Sequence, residues 1–166
     1  RLRTYKRIGF QVITNNILTK QSVNSIYDSG NYMDIFERDI VEAGKKIIVS
    51  SPELTQDKVA RFIYLVKPRQ EAGVSVTVIT TEPQNISYGS PEFYQGLMKE
   101  MRENGIYVIV RDEVAEHFAV IDDELVWHGG MNLLGREDAW DNLMRIRSFQ
   151  VAEELLEIAL VKGKKE

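Results

Sequence analysis

A group of polar residues and glycines in residues 115–135 has the side-chain types that phosphoryl chemistry uses. An imidazole can attack phosphorus or protonate a leaving oxygen, and adjacent glycines let backbone N–H groups approach phosphate oxygens. The members of this group are His117, Asp122, His128, Gly129, Gly130 and Asn132. We interpret this stretch as the region of the chain most suited to form a site.

The same stretch predicts the element that must position these residues. Two short apolar runs, residues 118–121 and 125–127, flank an acidic corner that contains Asp122 and Asp123. Alternating apolar runs around such a corner predict a β-hairpin. Because polar residues stand at both ends of an apolar hairpin, we expect one edge of it to form the site.

The spacing of Asp122, Gly129, Gly130 and Asn132 resembles the signature of the phospholipase D superfamily, H-x-K-x4-D-x6-G-[S/G]-x-N. The signature requires His at position 115 and Lys at position 117, where this chain has Ala115 and His117. The resemblance extends to F-x-x-D-I-x-x-A before I-I-V-S-S-P and to G-V-x-V-T-V-I-T, over roughly residues 32–160. It implies a mixed sheet between helices.

The resemblance also implies what the residues would do. In active members two motif copies share a site, one His attacks phosphorus, the other protonates the leaving oxygen, and Lys, Asn and Ser or Gly hold the phosphate. One copy per chain implies a homodimer. The methyl group of Ala115 cannot attack phosphorus. His117 is displaced by about 6.6 Å along a strand, whereas reacting atoms must meet at roughly 3–3.5 Å.

We therefore assign two classes of candidate residue. The candidate catalytic residues are His117, as a phosphate partner in place of the Lys or as a replacement catalyst, and Asp122, as a residue that orders its neighbours. The candidate phosphate ligands are Gly129, Gly130, Asn132 and His128. No cofactor is predicted, and no metal, because a set of His117, Asp122 and His128 matches no known ligand spacing.

Simpler interpretations of the same residues remain open. His117 can be a solvated histidine at a strand end, and His128 the polar end of a strand beside a turn. Asp122 and Asp123 can simply build the corner of the hairpin. A bare tight turn explains the glycine pair nearly as well as phosphate binding.

The composition bounds the class of protein. A chain of 166 residues with 43% hydrophobic and 28% charged residues is typical of one soluble globular domain. The absence of cysteine excludes disulfides and thiolate metal sites. Neither a membrane span nor a signal peptide is visible, which predicts a cytoplasmic protein without a membrane partner. A net charge of −4 argues against a broad basic surface, so we expect nucleic-acid binding by the isolated domain to be weak.

Alternating helical and strand patterns predict an α/β fold, a single mixed sheet with helices on both faces. We divide the chain into a connector (residues 1–30), the domain (31–161) and a tail (162–166). The connector is predicted to hold a strand at 8–13, a short helix at 21–27 and a turn at 28–31. Further strands are predicted at 46–52, 74–81, 106–110 and 142–147. Helices are predicted at 32–43 with Asn31 as cap, from Gln56 to a kink or end at Lys67 before Pro68, from Ser90 to 105, and at 150–160.

The run F-A-V-I-D-D-E-L-V-W-x-G-G-M-N-L-L and the later D-N-L-M-R-I resemble phospholipase D-like domains attached C-terminally to DNA/RNA helicases. We hypothesise an accessory domain that positions a nucleic-acid backbone or dimerises, with N-terminal helicase domains as partners and no phosphodiesterase activity. The basic residues Arg1, Arg3, Lys6 and Arg7 suggest a cut inside a longer polypeptide. The alternatives are an active nuclease that uses His117 and a pure dimerisation module.

Overall fold

The computed structural model describes residues 25–161 of the chain. It contains seven strands and four α-helices, with a short 3₁₀ turn at Pro83–Asn85 and a π turn at Glu157–Val161. The strands are β1 (Ser25–Asp28), β2 (Lys46–Ser50), β3 (Ser75–Thr81), β4 (Tyr107–Arg111), β5 (His117–Ile121), β6 (Leu125–Gly129) and β7 (Asn142–Arg147). The helices are α1 (Met33–Val41), α2 (Gln56–Glu71), α3 (Pro91–Glu103) and α4 (Phe149–Leu156).

All seven strands form one mixed sheet with the order β1-β7-β6-β5-β2-β3-β4. β2, β3 and β4 are parallel, because helical crossovers join them, and the remaining neighbours pair antiparallel. The carboxyl ends of β2, β3 and β4 therefore meet the start of β5 and the end of β6 at one edge of the sheet. Ligands of open α/β sheets bind at such an edge.

Helices cover both faces of the sheet, which confirms the predicted α/β architecture. α1, α2 and α3 pack on one face, through residues such as Phe36, Phe62 and Leu97, and α4 packs on the other through Ala152 and Leu155. Side chains of a strand alternate between these faces. In β5, Ala119 and Ile121 belong to the core under α1–α3, while Phe118 and Val120 belong to the core under α4.

A buried ion pair fastens α1 to the sheet. The guanidinium of Arg145 donates to both carboxylate oxygens of Asp39, at 2.7 and 2.8 Å, and the indole N–H of Trp127 donates to the same carboxylate at 2.8 Å. Both charged side chains are 4% exposed or less. Removal of either partner would destabilise the fold, because the other charge would stay buried without compensation. Trp127 and Met131, whose apolar side chains predict core positions, are both buried.

Several predicted element boundaries are wrong. Residues 25–27, predicted as helical, form β1 and pair with β7, while residues 21–24 of that prediction and the strand at 8–13 lie outside the described residues. Asn31 does not cap α1: the N-cap residue is Tyr32, and the Asn31 side chain accepts the Asp28 backbone N–H at 2.9 Å. The predicted tail at 162–166 also lies outside the described residues.

The helix α2 does not end before Pro68 but continues to Glu71. A proline in the last turn removes one backbone N–H, a loss that a helix of 16 residues tolerates. The helical patterns at 90–105 and 150–160 predict that Phe93 and Ile158 face inward, but both side chains are exposed, at 53% and 41%. The predicted helix start at Ser90 is confirmed, because the Ser90 hydroxyl caps α3 by accepting the Phe93 N–H at 3.1 Å.

Candidate functional site

A pocket of about 360 Å³ opens at the edge where the parallel strands end. The loop after β2, the end of β3, the loop after β3, the start of α3 and the loop before β5 surround it. Ala115 is one of its lining residues, as the alignment with the signature predicts. The full lining consists of Pro52, Glu53, Thr81, Asn85, Ile86, Ser87, Tyr88, Tyr94, Asp112, Glu113, Val114, Ala115 and Asn132.

Ala115 offers a methyl group at the position where the signature has its attacking histidine. It lies in the loop before β5, and β5 itself begins at His117. We expected positions 115 and 117 to lie on one continuous strand, but Ala115 lies in the loop before it. Among the described residues that line the pocket, no imidazole is present, and none of the hydroxyl groups has a histidine, lysine or carboxylate hydrogen-bonded to it. Nucleophilic catalysis requires such an activating base.

His117 stands at the site edge but not in the lining of the pocket. It pairs with Gly129 of β6 and points to the α1–α3 face, as Ala119 does. Burial lowers the pKa of His117, and Asp141 and Glu116 offset part of that effect. The imidazole is therefore neutral near pH 7, where it can accept or donate a hydrogen bond but contributes no positive charge to a phosphate.

His128 lies on the other side of the sheet. It pairs with Phe118, so its side chain shares the α4 face with Val126, and its Nε2 is 3.8 Å from Oε1 of Glu116. The two histidines thus point to opposite faces. The alternation of side chains along paired strands separates the two imidazoles, and a phosphate ligand role for His128 stays a prediction.

Asp122 is not brought to the site at all. It follows β5 at the far end of the hairpin, and its carboxylate accepts the backbone N–H groups of Gly44, Lys45 and Lys46 at 2.9, 2.6 and 3.0 Å. Partial burial raises the pKa of Asp122, but these hydrogen bonds outweigh it and hold the pKa below its usual range. Asp122 holds the start of β2 against the turn of the hairpin. Because the turn lies at the opposite end of β5 from His117, the position does not fit a catalytic role beside His117 within one chain.

The glycine pair ends β6, but both residues are required by close packing rather than by positive φ angles. A Cβ at position 129 would overlap the carbonyl oxygen of Asn142, and one at position 130 would lie 2.6 Å from Oδ1 of Asp141. The backbone N–H of Gly130 donates to the Asn142 carbonyl at 3.1 Å. That donor is therefore used inside the protein and does not face a ligand.

Asn132 is the predicted ligand residue that does line the pocket. Its side-chain oxygen accepts the backbone N–H of Glu53 at 2.9 Å, which leaves the amide nitrogen without a hydrogen bond to the described residues. The structure thus assembles Ala115 and Asn132 in the pocket, with His117, Gly129 and Gly130 beside it. Asp122 and His128 lie elsewhere.

Sequence reasoning missed the acidic residues of the pocket. Glu53 follows the P-E turn after β2 and binds Arg136 through both carboxylate oxygens, at 3.1 and 2.7 Å, and these hydrogen bonds lower the pKa of Glu53. The Arg136 guanidinium also lies 3.9 Å above the Tyr88 ring. Polar residues directly after a buried parallel strand are a signal that could have found Glu53. Asp112 and Glu113 follow β4 in the same way.

The described residues contain no group of three or more His, Cys, Asp or Glu side chains arranged to hold a metal ion. The hypothetical set of His117, Asp122 and His128 is dispersed over two faces and two ends of the hairpin. Within residues 25–161, every helix is too short or too polar to cross a bilayer.

No protein-family model matches the chain, and a search of curated proteins gives no match. Solved structures do match. The phospholipase D family member Nuc from Salmonella typhimurium has 17% identity and a TM-score of 0.64, with 81% of this chain and 89% of that chain covered.

Two further structures are similar. NucT from Helicobacter pylori has 14% identity and a TM-score of 0.62, over 84% of this chain and 96% of that one. TrmBL2, an archaeal chromatin protein with a novel mode of DNA binding, has 12% identity and a TM-score of 0.61, and the match covers 86% of this chain but 50% of that protein. The chain therefore has the phospholipase D-like fold, a single mixed seven-stranded sheet between helices.

Proposed function

We propose that this chain is a non-cleaving phospholipase D-like domain that serves as an accessory module of a DNA/RNA helicase. The helicase connection rests on the resemblance of residues 118–134 and 141–146 to domains attached to such motors. The accessory role consists of self-association, of holding the motor on nucleic acid, or of both. TrmBL2, a DNA-binding protein with this fold, is a precedent for the second role.

The observation that carries the loss of activity is the position of Ala115. It lines the pocket where the resemblance places the attacking imidazole. A methyl group supplies neither a nucleophile nor a proton. His117 is the first residue of β5 and does not line the pocket. Its imidazole therefore does not reproduce the position of the attacking histidine of the signature.

The charges near the pocket weigh against a phosphate-binding role for this edge. Of the described residues that line the pocket, three carry carboxylates and none is basic. The guanidinium of Arg136 is already paired with Glu53. Uncompensated carboxylates repel a phosphodiester, so we propose that contact with nucleic acid, where it occurs, uses another surface or a neighbouring domain.

A second candidate function is an active phosphodiesterase that uses His117. One observation favours it: burial lowers the pKa of His117, and Asp141 and Glu116 stand close enough to interact with the imidazole electrostatically. A neutral imidazole near carboxylates can act as a nucleophile or a general base. Such a mechanism would require the substrate to enter beside the pocket rather than within it.

Hydrolysis assays separate the two candidates. We expect the wild-type chain to hydrolyse neither bis(4-nitrophenyl) phosphate nor single-stranded DNA above the buffer rate, with or without EDTA. His117→Ala and the matched variant His128→Ala, whose imidazole lies on the opposite face, should be indistinguishable from wild type. Metal-independent turnover that His117→Ala abolishes and His128→Ala retains would establish the second candidate. Sedimentation of the same samples should show a two-chain species.

A further inference from the structure

The sheet ends at β4, and within the described part of the chain no further strand covers that edge. β4 has the sequence Y-V-I-V-R, pairs with β3 in unbroken register, and contains neither proline nor glycine. A regular strand at a sheet edge presents unpaired N–H and C=O groups to another strand, and proteins often prevent such pairing with a proline or a β-bulge. Since β4 has neither, its outer edge has the form of a pairing surface.

Two outward carbonyl groups of β4 are only weakly satisfied. The carbonyl of Arg111 accepts the Glu82 N–H at 2.8 Å and therefore faces β3. Backbone groups alternate in direction along a strand, so those of Val108 and Val110 point away from β3. Their carbonyls accept side-chain donors, from Arg102 at 3.4 Å and from Arg111 at 3.5 Å. Hydrogen bonds of this length are weak, so the backbone N–H of another strand can replace them at little cost.

The guanidinium of Arg111 is not committed to another part of the described chain. It makes no ion pair there, and its Nε is a buried donor without a hydrogen-bond partner. At the other end of β4, the Tyr107 side chain is 67% exposed. Alternate residues of a strand share a face, so Tyr107, Ile109 and Arg111 form one row. The row carries an aromatic ring at one end and a cation at the other, two groups that attract each other.

We propose that β4 pairs with β4 of a second copy of this chain, antiparallel and with the two-fold axis at Ile109. In this register Val108 of each copy faces Val110 of the other, and both pairs exchange their outward N–H and C=O groups. Tyr107 of each copy faces Arg111 of the other, so the symmetry makes two cation–π contacts from one strand sequence. The same strand thus supplies both halves of the interface, and the two sheets become continuous.

The inference rests on the self-association in the proposed function and gives it a surface. β3 and β2 lie between β4 and β5, so His117 is three strand spacings away from the paired edge. At about 4.8 Å for each spacing, the His117 residues of the two copies would lie roughly 30 Å apart. They would not share one site, which agrees with a dimer that holds chains together without cleaving a substrate.

Cysteine cross-linking tests the register, because the chain has no cysteine of its own. In Ile109→Cys the thiols would face each other at a non-hydrogen-bonded pair, with Cα atoms about 4.5 Å apart, within the range of a disulfide. In the matched variant Tyr107→Cys the Cα atoms would be about 14 Å apart, beyond that range. We expect Ile109→Cys to form the covalent dimer about tenfold faster under the same oxidant, because pairing raises the effective concentration of the second thiol. Random collision would favour Tyr107→Cys, the more exposed position.

Charge changes on the same row provide a second test, by sedimentation equilibrium of the 166-residue chain. The variant Tyr107→Glu/Arg111→Glu places like charges opposite each other at both ends of the pair, so the dimer dissociation constant should rise about tenfold or more. Tyr107→Glu alone places a carboxylate opposite the guanidinium, so its dissociation constant should equal that of wild type or be lower. Circular dichroism should show that both variants fold as wild type does.

The contrary results separate this proposal from the proposed function. A chain that sediments as a monomer at every concentration would overturn both the β4 pairing and the self-association, and would leave the edge to a strand of another protein. A wild-type dimer with equal cross-linking of Ile109→Cys and Tyr107→Cys, or with equal dissociation constants for the single and double charge variants, would overturn the β4 pairing alone. Hydrolysis that depends on His117 would defeat the non-cleaving role whatever the cross-linking shows.

Discussion

The carboxylates at the two ends of the β5–β6 hairpin differ in their hydrogen-bond partners. At the turn end, Asp122 accepts three backbone N–H groups from the segment that leads into β2. At the open end, Asp112 and Glu113 face a cavity without partners in the described residues. The first carboxylate is integrated into the fold, and the other two are exposed.

This difference separates a residue that the fold requires from residues at which a site could form. The aspartate of the signature holds two segments of backbone together, a task that the fold itself requires. Position 115 lines the pocket and position 117 stands beside it, where a substitution changes the available chemistry with little effect on packing. The match at Asp122 is therefore evidence for the fold and not for activity, so fold and activity must be argued separately.

The largest effect is expected at the turn end. Asp122→Asn should lower the free energy of unfolding by about 2 kcal/mol, since the amide loses the charge and presents an N–H group to a backbone donor. Asp123→Asn is the matched control. Both residues have positive φ, 56° and 63°, which asparagine tolerates. Asp123 makes surface ion pairs with Lys45 and Lys46, so its loss should cost about 0.5 kcal/mol or less.

Urea unfolding of the three proteins at several pH values completes this test. A depressed pKa in the folded state means that the contribution of Asp122 is present above the pKa of the unfolded carboxyl. It is lost as the pH falls through the folded pKa. The acid limb of the stability profile should therefore be flatter in Asp122→Asn than in Asp123→Asn. Equal losses for both variants would contradict the structural role of Asp122.

An intermediate effect is expected at the glycine pair, where the two members differ in what stands against them. Gly129→Ala should cost about 2 kcal/mol, because its Cβ would meet the backbone of Asn142 and Leu143, which the pairing of β6 with β7 holds in place. Gly130→Ala should cost less than about 1 kcal/mol, since its Cβ meets the side chain of Asp141, which can rotate. Thermal unfolding measures both, and the reverse order would show that the glycines serve a different purpose.

The sequence was sufficient for the fold because the central hairpin and the buried strands carry strong local patterns. Alternating residues around Asp122 and Asp123 define β5 and β6, and the β-branched run V-S-V-T-V-I-T-T defines β3. The cap at Ser90 follows from its own local chemistry. Failures occurred where tertiary contacts decide: β1 is a strand because β7 pairs with it, and Tyr32 rather than Asn31 begins α1.

The site was less accessible to sequence reasoning, because it depends on pairing register. Two positions of the signature, Ala115 and Asn132, line the pocket. The sequence alone does not show that the register of Phe118 with His128 turns the imidazoles of His117 and His128 to opposite faces. The acidic character of the pocket arises from Glu53 and from Asp112 and Glu113, which lie far apart in sequence and meet through the order of the strands.

The smallest effect concerns the pKa of His117, at the open end of the hairpin. Its C2 proton in an NMR titration should show a midpoint below the ordinary histidine pKa of about 6.5, since burial opposes protonation. Asp141→Asn should lower the midpoint further, because Asp141 favours the imidazolium. Asp138→Asn, in the same loop, is the control, and His117→Ala assigns the resonance.

The lowered pKa of His117 also makes the folding stability depend on pH. Because the unfolded chain binds the proton more readily than the folded one, His117 should reduce stability as the pH falls through about 6.5, and His117→Ala should lessen that dependence. A midpoint above the ordinary value would mean that the carboxylates dominate over burial. His117 would then be cationic near neutral pH, and the open end of the hairpin could hold a phosphate after all.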